Sequence, residues 1–151
     1  MRSYAIANIL LDDIPDLKKL EVECQLSPWT IDAYEAEHGR SDSVMLKATD
    51  GDGNVCGFVI GRAPLEGGDA EIYNLGVSPS DRRQGIAAML MLEFRRICLE
   101  RQIASIWLEV RAANQAAIEF YLSHGFIQKG IRPKFYSDPP DDAILMSASV
   151  Q

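Results

Sequence analysis

One run, Val77-Ser78-Pro79-Ser80-Asp81-Arg82-Arg83-Gln84-Gly85-Ile86-Ala87, does most to limit what this chain can fold into. It leaves a strand-like segment, passes a proline turn and enters a helix-like one. A helix start exposes backbone N–H groups that have no intrahelical partner, and those donors attract anions. Gly85 has no Cβ, so an anion can come close to the backbone there. The run therefore asks for a strand that delivers the chain to a helix N-terminus, with a pyrophosphate-sized seat at the junction. It is not a Walker A loop, because no Lys-Ser/Thr follows the glycine, and one glycine cannot supply G-x-G-x-x-G. It does fit Q/R-x-x-G-x-G/A, with Arg82 first, Gly85 fourth and Ala87 sixth. Taken alone, a helix start with arginines on a solvated face satisfies the same pattern.

The 151 residues fit one domain, 1–151, large enough to need no staples. A net charge of −7 argues against a nucleic-acid partner, which would call for a basic stripe. Acidity tolerates a cationic substrate, although it is also a common solution to solubility. Cys24, Cys56 and Cys98 form no C-x-x-C pair, so neither a metal nor a disulfide framework is expected. They read as small hydrophobes in a reducing compartment. No apolar run approaches the roughly 20 residues of a membrane span. Met1-Arg2-Ser3-Tyr4 is not followed by an apolar export segment, so the expected location is cytoplasmic.

Along the chain, residues 4–10 read as a strand. Asp12 and Asp13 can cap the helix that follows, with Pro15 in its first turn and Ile14, Leu17, Leu20 and Cys24 on one face. Thr30 opens a second helix that Gly39 closes. Strands at 43–49 and 55–62 flank Asp50-Gly51-Asp52-Gly53-Asn54. That turn lacks the glycine and glutamate positions of a calcium loop and reads as a hairpin. A loop at 65–69 precedes a strand at 70–78. The longest helix spans 85–101, with Ile86, Leu90, Phe94, Ile97 and Cys98 inward. A strand at 104–111, a helix at 114–124 closed by Gly125, and strands at 126–136 and 142–150 complete an α/β mixture.

Within Ile106-Trp107-Leu108-Glu109-Val110-Arg111, the apolar residues alternate to one face and Trp107, Glu109 and Arg111 point to the other. A glutamate inside such a strand invites a reason. One is a Glu109–Arg111 pair on a solvated face. The other is a general base, because a carboxylate can take a proton from an α-ammonium directly or through water. Asn114 can cap the next helix. Tyr121, on one helix face with Ile118 and Leu122, reads either as a half-buried core tyrosine or as a proton donor. His38 and His124 sit at helix C-termini, where a cation is mildly stabilised, and neither needs a catalytic role.

These segments together resemble the GNAT superfamily of N-acetyltransferases. The block LEVR-x-x-N-x-x-A at 108–117 is similar to a signature of its ribosomal-protein alanine N-acetyltransferase (RimI-type) branch. Ala117 to Phe126 resembles A-x-x-x-Y-x-x-x-G-F, Pro28-Trp29-Thr30 resembles P-W-[ST], and Arg132 to Met146 resembles R-x-x-Y-Y…D-A-x-x-M. The chain departs from the last at Phe135, where a tyrosine is usual. The resemblance implies a GNAT fold: a mixed, mostly antiparallel seven-stranded sheet flanked by about four helices, with acetyl-CoA in the cleft after the fourth strand. It implies that Leu75, Gly76 and Val77 contact the pantetheine arm, with a bulge at Gly76. Arg83, Gln84, Gly85, Ile86, Ala87 and Ala88 would seat the pyrophosphate, and Asn114 would touch coenzyme A. Glu109 becomes the base and Tyr121 the acid. Trp29 and Tyr136 become acceptor contacts. The implied acceptor is a protein N-terminus. A polyamine, amino acid or aminoglycoside acceptor, or a non-catalytic acyl-coenzyme A sensor, stands as the alternative.

Overall fold

A computed structural model describes residues 3–151; Met1 and Arg2 of the N-terminal run lie outside them. The chain forms β1 Ala5–Asn8, α1 Ile14–Glu23, α2 Ile31–His38, β2 Ser43–Thr49, β3 Val55–Arg62, β4 Gly68–Val77, α3 Ile86–Glu100, β5 Ile103–Arg111, α4 Gln115–Ser123, β6 Ile127–Ser137 and β7 Pro140–Ser149. The strands build one seven-stranded sheet in the order β1-β2-β3-β4-β5-β7-β6. Every neighbouring pair is antiparallel except β4–β5. This is the mixed, mostly antiparallel sheet with four α-helices that the resemblance implied.

The apolar spacings place the helices. Ile14, Leu17 and Leu20 bury one face of α1, with Pro15 in its first turn. They join Tyr34, Met45, Phe58 and Ile60 in the core on one side of the sheet. Ile86, Leu90, Phe94 and Cys98 bury α3 on the other side, with Val59, Ile72, Ile106, Leu108 and Tyr121 of α4. Full burial of a side chain of this size contributes roughly 1.5–3 kcal/mol, so the two faces hold the sheet between them. Asp13 takes the N-cap position of α1, but its side chain does not cap. Its carboxylate instead accepts from the Leu10 N–H at 2.7 Å and from Lys47 at 2.7 Å. Leu122, expected on the inner face of α4, is exposed. In the hairpin after β2, Asp50 accepts from the backbone of Asp52 and Asn54 at 3.0 and 2.9 Å, as a turn carboxylate does.

β4 begins at Gly68, inside the expected loop, because Gly68 already pairs with Ile103 of β5. Two irregularities in β4 bend and divide the sheet. First, Ile60 of β3 faces Asn74 while Gly61 faces Ile72, so Tyr73 is an extra residue. A bulge of this kind swaps the faces of the residues after it. Ile72 belongs to the α3-side core, and past Tyr73 it is Leu75 and Val77 that pack there. Gly61 makes the bulge possible, since a Cβ on it would lie 2.3 Å from the Glu71 carbonyl oxygen and 2.7 Å from Phe94. The bulge therefore sits at Tyr73 and not at Gly76. Gly76 keeps regular register opposite Phe58, where a Cβ would lie 3.0 Å from the Leu26 side chain and 3.2 Å from Cys24 Sγ. Second, the parallel pairing of β4 with β5 ends at Ile72 and Leu108. β4 runs on to Val77 beside β3, and β5 runs on to Arg111 beside β7. The sheet splits there.

Candidate active site

The split opens into two clefts. The larger, of about 1650 Å³, runs from the start of α3 to the parted strands. Leu75, Gly76 and Val77 line it from β4; Arg83, Gly85, Ile86, Ala87 and Ala88 from the loop and first turn of α3; Asn114 and Tyr121 from around α4. Gln84 does not line it. At its far end Arg83 and Gly85 both take left-handed backbone, with φ +65° and +80°. Gly85 is the N-cap, no side chain caps it, and the first turn carries no acid. The first bond closing the helix runs from the Met89 N–H to the Gly85 carbonyl at 3.0 Å. The N–H groups of Ile86, Ala87 and Ala88 thus have no partner within the helix, which makes an anion seat. The preceding turn is fixed by Asp81, which is buried and accepts from the Tyr4 hydroxyl at 3.0 Å.

Strand geometry decides which backbone groups face this cleft. The Ser78 N–H donates to the Cys56 carbonyl at 2.8 Å, so Ser78 and Cys56 form a hydrogen-bonded pair. Such pairs alternate along an antiparallel ladder. Gly76 therefore spends its backbone on Phe58, while Leu75 and Val77 turn theirs to the parted edge. The Val77 carbonyl there accepts from Cys24 Sγ and Arg82 Nε, each at 3.2 Å.

The second cleft, of about 740 Å³, lies between the parted strands, with Trp29, Tyr73, Asn74, Glu109, Arg132 and Phe135 on its walls. Leu75, Asn114, Tyr121 and Tyr136 line both clefts. Glu109 keeps 26% of its side chain exposed, yet its Oε2 is buried and has no hydrogen-bond partner. Its charged neighbour is Arg132, with Nε 3.6 Å from Oε2, too far for a hydrogen bond. The alternative pairing with Arg111 does not form. Arg111 donates to the carbonyls of Pro139 and Asp138 at 2.8 and 3.2 Å and lies 4.3 Å over the Tyr136 ring.

Tyr121 is buried, with its ring edge-on to Phe126 at 5.5 Å. Burial, and then the neighbouring Tyr136, push its phenol well above the ordinary range. Burial followed by the Glu109 carboxylate pushes the Tyr136 phenol up as well. Asn114 caps α4, accepting from the Ala117 N–H at 3.2 Å. Trp29 packs on Tyr34 at 5.3 Å and Tyr73 at 6.1 Å, so its ring is both core and cleft wall. Register slips between Arg132 and Tyr136, and Lys134 takes φ +54°; this irregularity brings Phe135 and Tyr136 to the cleft. The rings of Phe135 and Tyr136 stand perpendicular at 5.0 Å. His124 and His38 bond backbone carbonyls, of Phe120 at 2.9 Å and Ile9 at 3.0 Å.

Four further residues shape the site beyond those the sequence pattern marks. Cys24 and Leu26, from the α1–α2 connection, reach the larger cleft. Asn74 is buried at the second cleft, where a polar residue amid Ile72, Tyr73 and Leu75 was the available signal. Arg132 as the partner of Glu109 left no local signal. Among the described residues no helix is long and apolar enough to cross a membrane.

The fold has counterparts. The ribosomal protein bS18-alanine N-acetyltransferase of Escherichia coli K12 is 30% identical over 147 residues, 96% of this chain and 97% of its own. The crystal structure of the ribosomal-protein-S18-alanine N-acetyltransferase from Escherichia coli matches with a TM-score of 0.86 at 28% identity, over 99% of this chain and 95% of that one. Ard1 from Thermoplasma volcanium matches at 0.89 and 27% identity, over 98% of both chains. The PaiA N-acetyltransferase of Thermoplasma acidophilum, crystallised with coenzyme A, shares the fold at 0.79 and 20% identity, over 97% of this chain and 99% of that one. A model of the acetyltransferase (GNAT) family matches residues 14–126, which carry the anion seat, the parted strands and α4; the chain belongs to that family.

Proposed function

We propose that this protein moves acetyl from acetyl-CoA directly to the N-terminal α-amine of a protein, and that a ribosomal protein, the acceptor in its relatives' names, is the acceptor class. One observation carries the reading: Leu75, Asn114, Tyr121 and Tyr136 line both clefts. A thioester entering from the phosphate seat and an amine entering between the strands would meet at those residues.

The chemistry rests on the groups that stand there. The N–H groups of Ile86, Ala87 and Ala88 would hold the pyrophosphate, and the backbone of Leu75 and Val77 the pantetheine arm. Glu109 would take a proton from the α-ammonium, directly or through water. The freed lone pair attacks the thioester carbon, and the carbonyl electron pair moves onto oxygen. The Val77 N–H, turned to the parted edge, would stabilise that oxyanion. Collapse breaks the C–S bond, and the leaving thiolate takes the Tyr121 proton. The nitrogen of the new amide then carries two protons; one of them restores Tyr121, and Glu109 releases its proton to solvent. Burial supports the acid role because it keeps the phenol protonated. Trp29 and Tyr136 would flank the acceptor. The three free thiols fit a cytoplasmic setting.

The test is acetyl-CoA turnover with a peptide that begins in alanine and with the same peptide N-terminally blocked. Turnover on the free peptide alone is expected; equal turnover on both would sink the reading.

A further inference from the structure

The acceptor cleft holds two buried polar atoms of opposite hydrogen-bonding sense. Asn74 is 7% exposed, and its Nδ2, a donor, has no partner among the described residues. Glu109 Oε2, an acceptor, has no hydrogen bond either. Both residues line the acceptor cleft, one from each of the strands that part after Ile72 and Leu108. They do not satisfy one another. Folded proteins rarely keep such atoms unpaired, and each exception calls for a reason, a role in catalysis among them. Asn74 also stands directly after the bulge residue Tyr73, so its placement depends on an irregularity specific to this strand.

A ligand that satisfies both atoms must present an N–H donor and, close beside it, a carbonyl acceptor. An α-amino acyl group does so, since its amine and its first carbonyl are joined through a single Cα. A polyamine or a lysine side chain offers the amine without the carbonyl. We propose that Asn74 is a specificity-determining residue for N-terminal acceptors: its Nδ2 donates to the first carbonyl oxygen of the acceptor while Glu109 Oε2 accepts from the amine. This rests on the function proposed above and adds the means by which an α-amine is told from an isolated one. A site built to bond a group rejects analogues that lack it, because the buried donor is then left unpaired.

The test uses an alanine-led peptide and its trans-alkene isostere, which keeps the extended shape and removes the first carbonyl oxygen together with the N–H that follows it; the comparison of variants below isolates the oxygen. Wild-type protein should prefer the peptide in kcat/KM by roughly 10- to 100-fold. Asn74→Val should erase that preference by slowing the peptide alone. Asn74→Thr, equal in shape but with a hydroxyl donor, should retain part of it. Acetyl-CoA affinity should be unchanged in both variants. No preference in the wild type, the wild-type preference persisting in the valine variant, or an equal fall on both acceptors would overturn the assignment. Wild type that acetylates neither acceptor would overturn the N-terminal function itself, and this inference with it. Intact peptide turnover without a preference overturns the inference alone.

Discussion

Arg132 on β6 holds its Nε 3.6 Å from Glu109 Oε2 on β5, near enough to attract the carboxylate and too far to bond its oxygen. Arg132 is also more than half exposed, so solvent screens the attraction. The pair thus leaves Oε2 without a hydrogen bond at the wall of the second cleft. Glu109→Gln keeps the shape and removes the basicity. General-base catalysis contributes about 10²- to 10⁴-fold. Steady-state kinetics of this variant should show kcat falling by about that factor, with acetyl-CoA affinity unchanged by calorimetry. Near-wild-type kcat would remove Glu109 from the proton path.

Tyr121 supplies a second kinetic test with a pH signature. Its phenol is raised by burial first and by Tyr136 second. A raised folded-state value means the proton is held more tightly than in the unfolded chain, whose phenol titrates near 10. The phenol therefore stays protonated throughout neutral and mildly alkaline solution. The stability linked to it is likewise complete below about pH 10 and lost only as pH climbs through the folded value. Tyr121→Phe should lower kcat by roughly 10²-fold or more with little change in either KM. In the wild type, kcat should show no alkaline decline from this group between pH 7 and about 10. A phenylalanine variant with unchanged kcat would leave Tyr121 as a core residue only.

What could be read from the sequence divides along a physical line. Glu109 stood out because a carboxylate interrupts an apolar alternation, and Asn114 because a cap is a local device. Gly85 stood out because a helix start after a strand is local too. Each was legible within a few residues of itself. The partner of Glu109 was not. Arg111 lies two residues away along the same strand, but Arg132 arrives through the β5-β7-β6 order, which only the assembled sheet defines. The bulge failed in the same way. Gly76 invited it by composition, whereas its position is set by the register of β4 against Gly61, fixed across the sheet by Phe94 packing. β4 reached back to Gly68 because of a parallel partner more than thirty residues on in sequence, Ile103.

Gly85 tests the phosphate seat apart from the chemistry. A Cβ built there meets nothing within 4 Å, so an alanine has room, yet φ of +80° strains any L side chain. The strain is about 1–2 kcal/mol. The added methyl would also narrow the approach of an anion to the backbone there. Gly85→Ala should therefore unfold at a modestly lower temperature, and its KM for acetyl-CoA should rise roughly tenfold, equivalent to about 1.4 kcal/mol. Its kcat at saturation should hold. A loss of kcat with unchanged acetyl-CoA affinity would place the glycine outside the seat.

Glu21 tests what holds the acceptor wall. It is 2% exposed on α1. One oxygen accepts from the Trp29 N–H at 2.9 Å and from the Tyr34 hydroxyl, and the other pairs with Lys18 at 3.0 Å. Lys18 donates in turn to the Trp29 carbonyl. Burial, and then the charge and hydrogen bond of Glu21, hold the Tyr34 phenol well above its ordinary range, so that hydroxyl stays a donor. One carboxylate thus ties α1, α2 and the connection between them, which carries Leu26 and Trp29 to the cleft. Glu21→Ala leaves the Trp29 N–H and the Tyr34 hydroxyl without their acceptor. Breaking a buried charged network of this kind costs about 3–5 kcal/mol. Chemical unfolding should report a loss in that range, against about 1 kcal/mol for Tyr34→Phe, which removes a single bond. If the network also sets the acceptor wall, Glu21→Ala should raise KM for the peptide more than KM for acetyl-CoA. A fully stable variant with both constants unchanged would show that packing of Trp29 against Tyr34 and Tyr73 holds the wall without the carboxylate.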